Sequence, residues 1–235
     1  MESSFSRDEL TSFRHQQKEL AKQVIRFNQL SNPVQLIGGA DIAYEEGGDR
    51  YFAAVVVLDV ETMITVDIGR HSGTCRFPYV PGLFAFRELP GLVEAFKALC
   101  QRPNLVLCDG QGIAHPRRFG IASHFGLSVN VPTIGCGKSR LLGDYTEPHD
   151  CRGAYSDLKD SGEVIGRVLR TQPGVKPLFV SIGHCIDLDT ACSWVLQLAS
   201  HFRQPEPVRR ANETVNTMRA QHALDLQRGK EAGGT

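Results

Sequence analysis

What this chain of 235 residues lacks removes several classes of protein at once. Charge of one sign is missing: 26 basic side chains meet 26 acidic ones, for a formal net charge of zero. Taken as a total, that argues against a nucleic-acid partner, because such domains are usually basic. No run of about 18 apolar residues occurs, so no membrane-spanning helix is expected. Residues 1–30 are rich in charge and glutamine and do not read as a secretory signal. The seven cysteines include no C-x-x-C pair, and the short Cys/His spacing that zinc wants is absent. An odd number of thiols, several in apolar runs such as Leu105-Val106-Leu107-Cys108, reads as reduced, mostly buried cysteine in a cytoplasmic protein. Internal repeats are absent too. What remains, 41% apolar and 22% charged, is ordinary for a soluble globular chain that can bury a core without staples. The expectation is one domain over residues 1–227, with the polar run 228–235 as a disordered tail that has nothing to bury.

Apolar periodicity predicts an amphipathic helix over residues 6–30, with Leu10, Phe13, Leu20, Val24 and Phe27 on one face and a Ser6/Glu9 capping box. Strands are expected at 34–43, 51–59 and 62–70, the first two joined by a hairpin at Gly47-Gly48. The second is almost continuously apolar, as suits a strand buried on both faces. Residues 71–82 read as a loop, 84–101 as a helix, 105–108 as a short strand, then a helix near 118–126 and a strand at 128–134. The polar, acidic stretch 143–162 reads as an exposed insertion. Strands near 163–170 and 178–182, a helix from 188 to 203, and a last helical segment after Pro205-Glu206-Pro207 complete an α/β chain with a mixed central sheet.

Two phosphate-binding motifs fail. Gly137-Lys138-Ser139 resembles the end of a P-loop, but its first glycine would be residue 132, which is proline and offers no N–H. Gly110-Gln-Gly112 opens like a dinucleotide fingerprint, but the third glycine is replaced by His115. Three carboxylates stand out instead. Asp41 interrupts an apolar strand, Asp109 ends the strand 105–108, and Glu88 lies near the start of a helix. Each can be read alone as a cap or as the partner of a nearby arginine. Together, if the first and fourth strands are neighbours, all three converge. Oxygen-only ligands suit Mg²⁺ or Mn²⁺ rather than zinc, and a carboxylate-held Mg²⁺ suits phosphodiester hydrolysis.

Phe77-Pro-Tyr-Val-Pro-Gly-Leu, Phe86-Arg-Glu88, the run Asp109 to Gly120, and Val131-Pro-Thr-Ile-Gly135 with Lys138 strongly resemble the endonuclease V family, most closely its bacterial members. The resemblance runs from the N-terminal helix to about residue 220. It implies a ribonuclease H-like fold and Mg²⁺-dependent cleavage of DNA at the second phosphodiester bond 3′ to deoxyinosine, leaving 3′-hydroxyl and 5′-phosphate ends. It implies that Asp41, Glu88 and Asp109 are the catalytic carboxylates, with Asp41 and Asp109 holding the metal and Glu88 serving a second ion or the attacking water. Tyr79 matches the wedge that fills the gap when inosine swings out. Gly110, Gly112, Gly120, Ile121 and Leu141 match the pocket for the flipped base, and Lys138 a lysine near the scissile phosphate. His115, Arg117 and Arg118 are candidates for phosphate contacts, with a cap or surface pair as the alternative. His184 follows a strand end and is either a residue behind the metal or a structural histidine.

The chain departs from the family pattern twice. Asn212 stands where Asp or His is common; its carbonyl oxygen can still ligate a metal or hold a water, but an amide has no charge and cannot act as a base, so weaker metal affinity is expected. Cys136-Gly137 stands where Val-Ala is usual. Two other readings are kept: inosine in single-stranded RNA as substrate, and a module that binds deaminated bases without cutting. A monomer is expected. The neutral total also hides a division, because residues 68–143 carry nine basic and three acidic side chains, two of them Glu88 and Asp109. A cationic strip is therefore available to phosphates, and its binding should weaken with salt.

Overall fold

The computed structural model describes residues 5–75 and 77–232. Helix α1 (Arg7–Ala21) starts at the expected capping box, with Glu9 N–H donating to Ser6 Oγ and Ser6 N–H to Glu9 Oε2. It ends well before residue 30. Beyond it the backbone leaves its own hydrogen bonds and joins the end of a distant strand, with Cys185 N–H donating to Ile25 and Gln29 N–H to Cys185. Phe27, expected on the apolar face, is exposed.

Eight strands form one sheet. Strands β1 (Leu36–Tyr44), β2 (Arg50–Asp59) and β3 (Thr65–Thr74) make an antiparallel meander. The third therefore reaches four residues into the expected loop 71–82. Helix α2 (Phe84–Lys97) then crosses to β4 (Leu105–Cys108), which lies parallel to β1. Helix α3 (Ile121–Val129) and strand β5 (Thr133–Gly137) follow. The expected strand at 128–134 is displaced because the helix continues to Asn130, whose left-handed cap turns the chain before Pro132. The segment 143–162 is not simply an exposed insertion: it contains β6 (Tyr155–Asp160), an edge strand paired with β7 (Glu163–Leu169). Strand β8 (Leu178–His184) closes the order β3-β2-β1-β4-β5-β8-β7-β6.

Helix α4 (Leu188–Leu198) stops short of residue 203, and its last turn is drawn aside where Arg152 binds the carbonyls of Leu196 and Ala199. Helix α5 (Glu206–Ala232) runs past the expected start of the tail at 228. Helical hydrogen bonds propagate without burial once a nucleus exists. The tail expectation at 233–235 lies outside the described residues.

Strand β2 shows why both sheet faces are covered. Phe52 and Ala54 meet Val215 of α5 on one face, while Ala53, Val55 and Val57 meet Leu92, Ala95 and Phe96 of α2 on the other. Gly39 lets α5 dock on β1: a Cβ there would lie 1.9 Å from the Pro207 carbonyl oxygen. That close approach brings the body of α5 to the C-terminal end of β1.

Candidate active site

Strands β1 and β4 are parallel neighbours, so their C-terminal ends open on the same side of the sheet, where α/β sites form. Asp109 N–H donates to the Ala40 carbonyl at 3.1 Å, which sets Asp109 beside Asp41. Asp41 and Glu88 are both buried. Glu88 enters from α2 and completes a corner of three like charges from three separate elements. Burial first, and the Asp109 charge second, push the Asp41 carboxyl up to about 6. Glu88 is held well above the usual carboxylate range by burial and by both aspartates.

The positive and amide groups nearby each take one carboxylate. Lys138 Nζ lies 2.5 Å from Asp109 Oδ2, and Asn212 Nδ2 donates to Asp41 Oδ2 at 2.8 Å. Ile42 N–H donates to the other Asp41 oxygen at 2.8 Å. Among the described residues no three His, Cys, Asp or Glu side chains are closed on one point as a finished metal cage. The chemistry of the donor set nonetheless fits a hard divalent cation: oxygen donors only, and carboxylates that raise one another's proton affinity.

Beside this corner lies a cavity of about 490 Å³. Glu88, Asp109, Gly110, Gly120, Ile121, Leu141, Lys138 and Tyr79 all line it. Tyr79 is 70% exposed and rests edge-on against Phe84, ring centroids 5.7 Å apart. Gly112 stands behind the cavity wall, where its N–H donates to Ser181 Oγ on β8. Gln111 was not singled out from the sequence, yet it also lines the cavity. Its Nε2 donates to the Ser139 carbonyl at 3.0 Å, and among the described residues its Oε1 is unpaired. Gly137 makes room for it, since a Cβ there would lie 2.0 Å from Gln111 Nε2. The signal was present in the sequence, because both halves of the Cys136-Gly137 departure lie on the strand facing this loop.

Of the remaining candidates, His115 also lines this cavity, while Arg117, Arg118 and His184 point elsewhere. His115 is buried, with Nε2 3.1 Å from the Gly82 carbonyl oxygen and Nδ1 accepting from Arg117 N–H. Arg117 turns inward to Gln17 and to the Gly82 carbonyl. Arg118 is paired with Asp160 and Glu163 across β6 and β7. Both arginines are thus engaged by the protein itself. His184 pairs with Thr133 at the start of β5, the end of the sheet away from Asp109, and its Nδ1 accepts from Ile25 N–H. The reading that sets it behind the metal is therefore corrected: β8 is antiparallel to β5, so its C-terminal end faces the opposite side. His184 is structural.

Residues 18–213 match the family model described as endonuclease V. An endonuclease V of Dehalococcoides mccartyi is 50% identical over 196 residues, covering 83% of this chain and 87% of the relative. The crystal structure of endonuclease V from Streptomyces avermitilis superposes with a TM-score of 0.87 at 42% identity, covering 94% of this chain and 96% of that one. A Ciona intestinalis endonuclease V variant, in complex with a 23mer DNA containing an inosine followed by a ribo-adenosine, gives 0.81 at 27% identity, over 92% and 99% of the two chains. With the family model spanning most of its length, this chain belongs to the endonuclease V family.

Proposed function

We propose that this protein is a Mg²⁺-dependent DNA-repair endonuclease that hydrolyses the second phosphodiester bond 3′ to deoxyinosine, leaving 3′-hydroxyl and 5′-phosphate ends. One observation carries the reading: a single cavity is lined both by the exposed ring of Tyr79 and by the carboxylates Glu88 and Asp109. Lesion recognition and cleavage chemistry thus share one site. The Ciona relative's complex with inosine-containing DNA supports the substrate class.

In this reading Tyr79 takes the stacking place of the departed base, and the backbone at Gly110 and Gly120 reads the edge of the flipped hypoxanthine. Asp41 and Asp109 hold Mg²⁺, for which Mn²⁺ substitutes, and when bound the ion supplies the positive charge that phosphodiester hydrolysis needs. Glu88 orients the water that attacks phosphorus in line as the bond to the 3′-oxygen breaks. Lys138 lies close enough to Asp109 to exchange that carboxylate for the scissile phosphate and screen its charge. The order of strands, with Asp41 and Asp109 just past the point where the parallel pairing of β1 and β4 stops, supports a ribonuclease H-like fold. All seven cysteines are free, which suits a reducing cytoplasm. We take the protein to act as a monomer.

The test is nicking of matched inosine-containing DNA and RNA strands, with Mg²⁺ and with EDTA, followed by cut-site mapping. Cleavage directly 3′ of the lesion's 3′ neighbour, on DNA and only with metal, is expected. Preferential cutting of the RNA strand replaces the substrate assignment with inosine RNA. Binding without cutting under every condition rejects the nuclease reading.

A further inference from the structure

Helix α1 is polar and mostly exposed, and its one fully buried side chain is a glutamine. A buried amide needs partners, and Gln17 has them far away in sequence. Its Nε2 donates to the Phe119 carbonyl at 2.7 Å, and its Oε1 accepts from Arg117 Nε at 2.5 Å. The same guanidinium donates through Nη2 to the Gly82 carbonyl. His115 grips that carbonyl as well: since its Nδ1 accepts from Arg117 N–H, its Nε2 carries the proton and donates. Burial holds the His115 ring down to about 4, so it stays neutral near pH 7. Gly82 has φ +77°, and a Cβ there would lie 2.6 Å from Arg117 Nη2. Just before Gly82 in the chain stands Tyr79. On the other flank of the same loop, Phe13 of α1 packs on Phe77, with centroids 5.1 Å apart. Helix α1 therefore touches one end of the loop that presents Tyr79 directly and reaches the other through Arg117.

We propose that Gln17 is a positioning residue for lesion recognition, holding the Tyr79 loop in its working geometry through Arg117 and the Gly82 carbonyl. This rests on the reading of Tyr79 as the wedge. Ordering a loop at the moment of binding subtracts from affinity, and a loop braced beforehand avoids that loss. Gln17 and Phe13 both lie before residue 18, where the family match begins.

The test uses the full chain with Mg²⁺ and an inosine duplex carrying 2-aminopurine beside the lesion, whose fluorescence reports unstacking. Gln17→Met is near in size but cannot hydrogen-bond. It is expected to raise KM about tenfold, in keeping with loss of a hydrogen bond to a charged group. Its kcat should stay within about twofold. Gln17→Glu keeps an acceptor for Arg117 and should hold KM to within about threefold of the parent. The deciding measurement is the double variant. In a Tyr79→Ala background Gln17→Met should add nothing to KM or to the fluorescence change, because the ring it positions is gone. Full additivity, or an unchanged KM in Gln17→Met alone, overturns the inference. If Tyr79→Ala by itself leaves KM unchanged, the wedge reading falls and takes this inference with it. Should Gln17→Met not fold, Arg117→Lys, which removes the arm to Gly82 and keeps the charge, goes through the same cycle with the same outcomes decisive.

Discussion

Two regions of the molecule hold carboxylates in opposite ways, and α5 serves both. At the ends of β1 and β4, Asp41, Glu88 and Asp109 crowd together, and the nearest compensation is one amide, one lysine and one backbone N–H. At the head of α5, Glu206 accepts from both Arg209 and Arg210, and these partners draw its carboxyl down to about 2. The first arrangement stores like charge and weakens the fold. The second pairs unlike charge and steadies the helix that carries Asn212. The difference separates a corner of stored like charge, to which we assign the cation, from a staple that needs none. It also gives the two regions opposite responses to pH. Asp41, ordinarily near 3.8 but raised to about 6, costs stability in its charged form, so the metal-free protein loses stability as pH rises from about 4 to 6. Glu206, ordinarily near 4.5, contributes stability that is present above that value and is lost as pH falls toward about 2.

The contrast can be broken most forcibly at the corner. Asp41→Asn and Asp109→Ala should each lower the nicking rate by about a thousandfold or more, as loss of a key electrostatic group does. The same Asp41→Asn change should stabilise the metal-free protein at pH 7 by up to about 3 kcal/mol and flatten its pH dependence between 4 and 6. Denaturant melts at several pH values check this, and a destabilised Asp41→Asn would mean that the corner is a structural pair rather than stored repulsion. Gly39→Ala disturbs both regions at once by driving a methyl group into the backbone of α5, with an expected loss of about 3 kcal/mol. Unfolding midpoints measure it, and an unchanged midpoint would show that α5 is free to slide. Asn212→Asp adds a fourth carboxylate and removes the donor to Asp41. We expect the Mg²⁺ half-saturation for nicking to fall about tenfold, while equal values in the two proteins would sink the role given to Asn212. Smallest is Glu206→Gln, expected to cost about 1 kcal/mol at pH 7 after allowance for solvent screening. At pH 2 it should cost almost nothing, and a loss independent of pH would assign Glu206 a packing role.

Much of this was legible in the residues, because the features concerned are local or carried by motif. The capping box at Ser6 and the double-sided burial of β2 follow from local pattern, whereas the pairing of β1 with β4 is supplied by the structure. Asp41 stands out because a charge inside an apolar strand is expensive, whereas Asp109 and Glu88 stand out by their places at a strand end and a helix start. What was missed depends on partners distant in sequence. The true end of α1 is set by hydrogen bonds to Cys185, which no local periodicity contains. The buried edge of the acidic segment 143–162 appears only when β6 pairs with β7. Gln17 was passed over although it sits on the helical stripe of Leu10, Phe13, Leu20 and Val24, where a polar residue signals a buried hydrogen-bonding task. Conversely, Arg117 and Arg118 looked available to phosphate because sequence does not show that Gln17, Gly82, Asp160 and Glu163 already hold them.

The contact between Asn212 and Asp41 joins residues 171 positions apart, and α5 follows every strand of the sheet in the chain. Until its head passes the glycine on β1, a growing chain carries three carboxylates with neither the amide donor nor the Glu206 staple behind them. The carboxylate corner therefore gains its amide partner only after every strand of the sheet has been made. A chain cut short before residue 206 keeps the three carboxylates but not the helix that packs behind them.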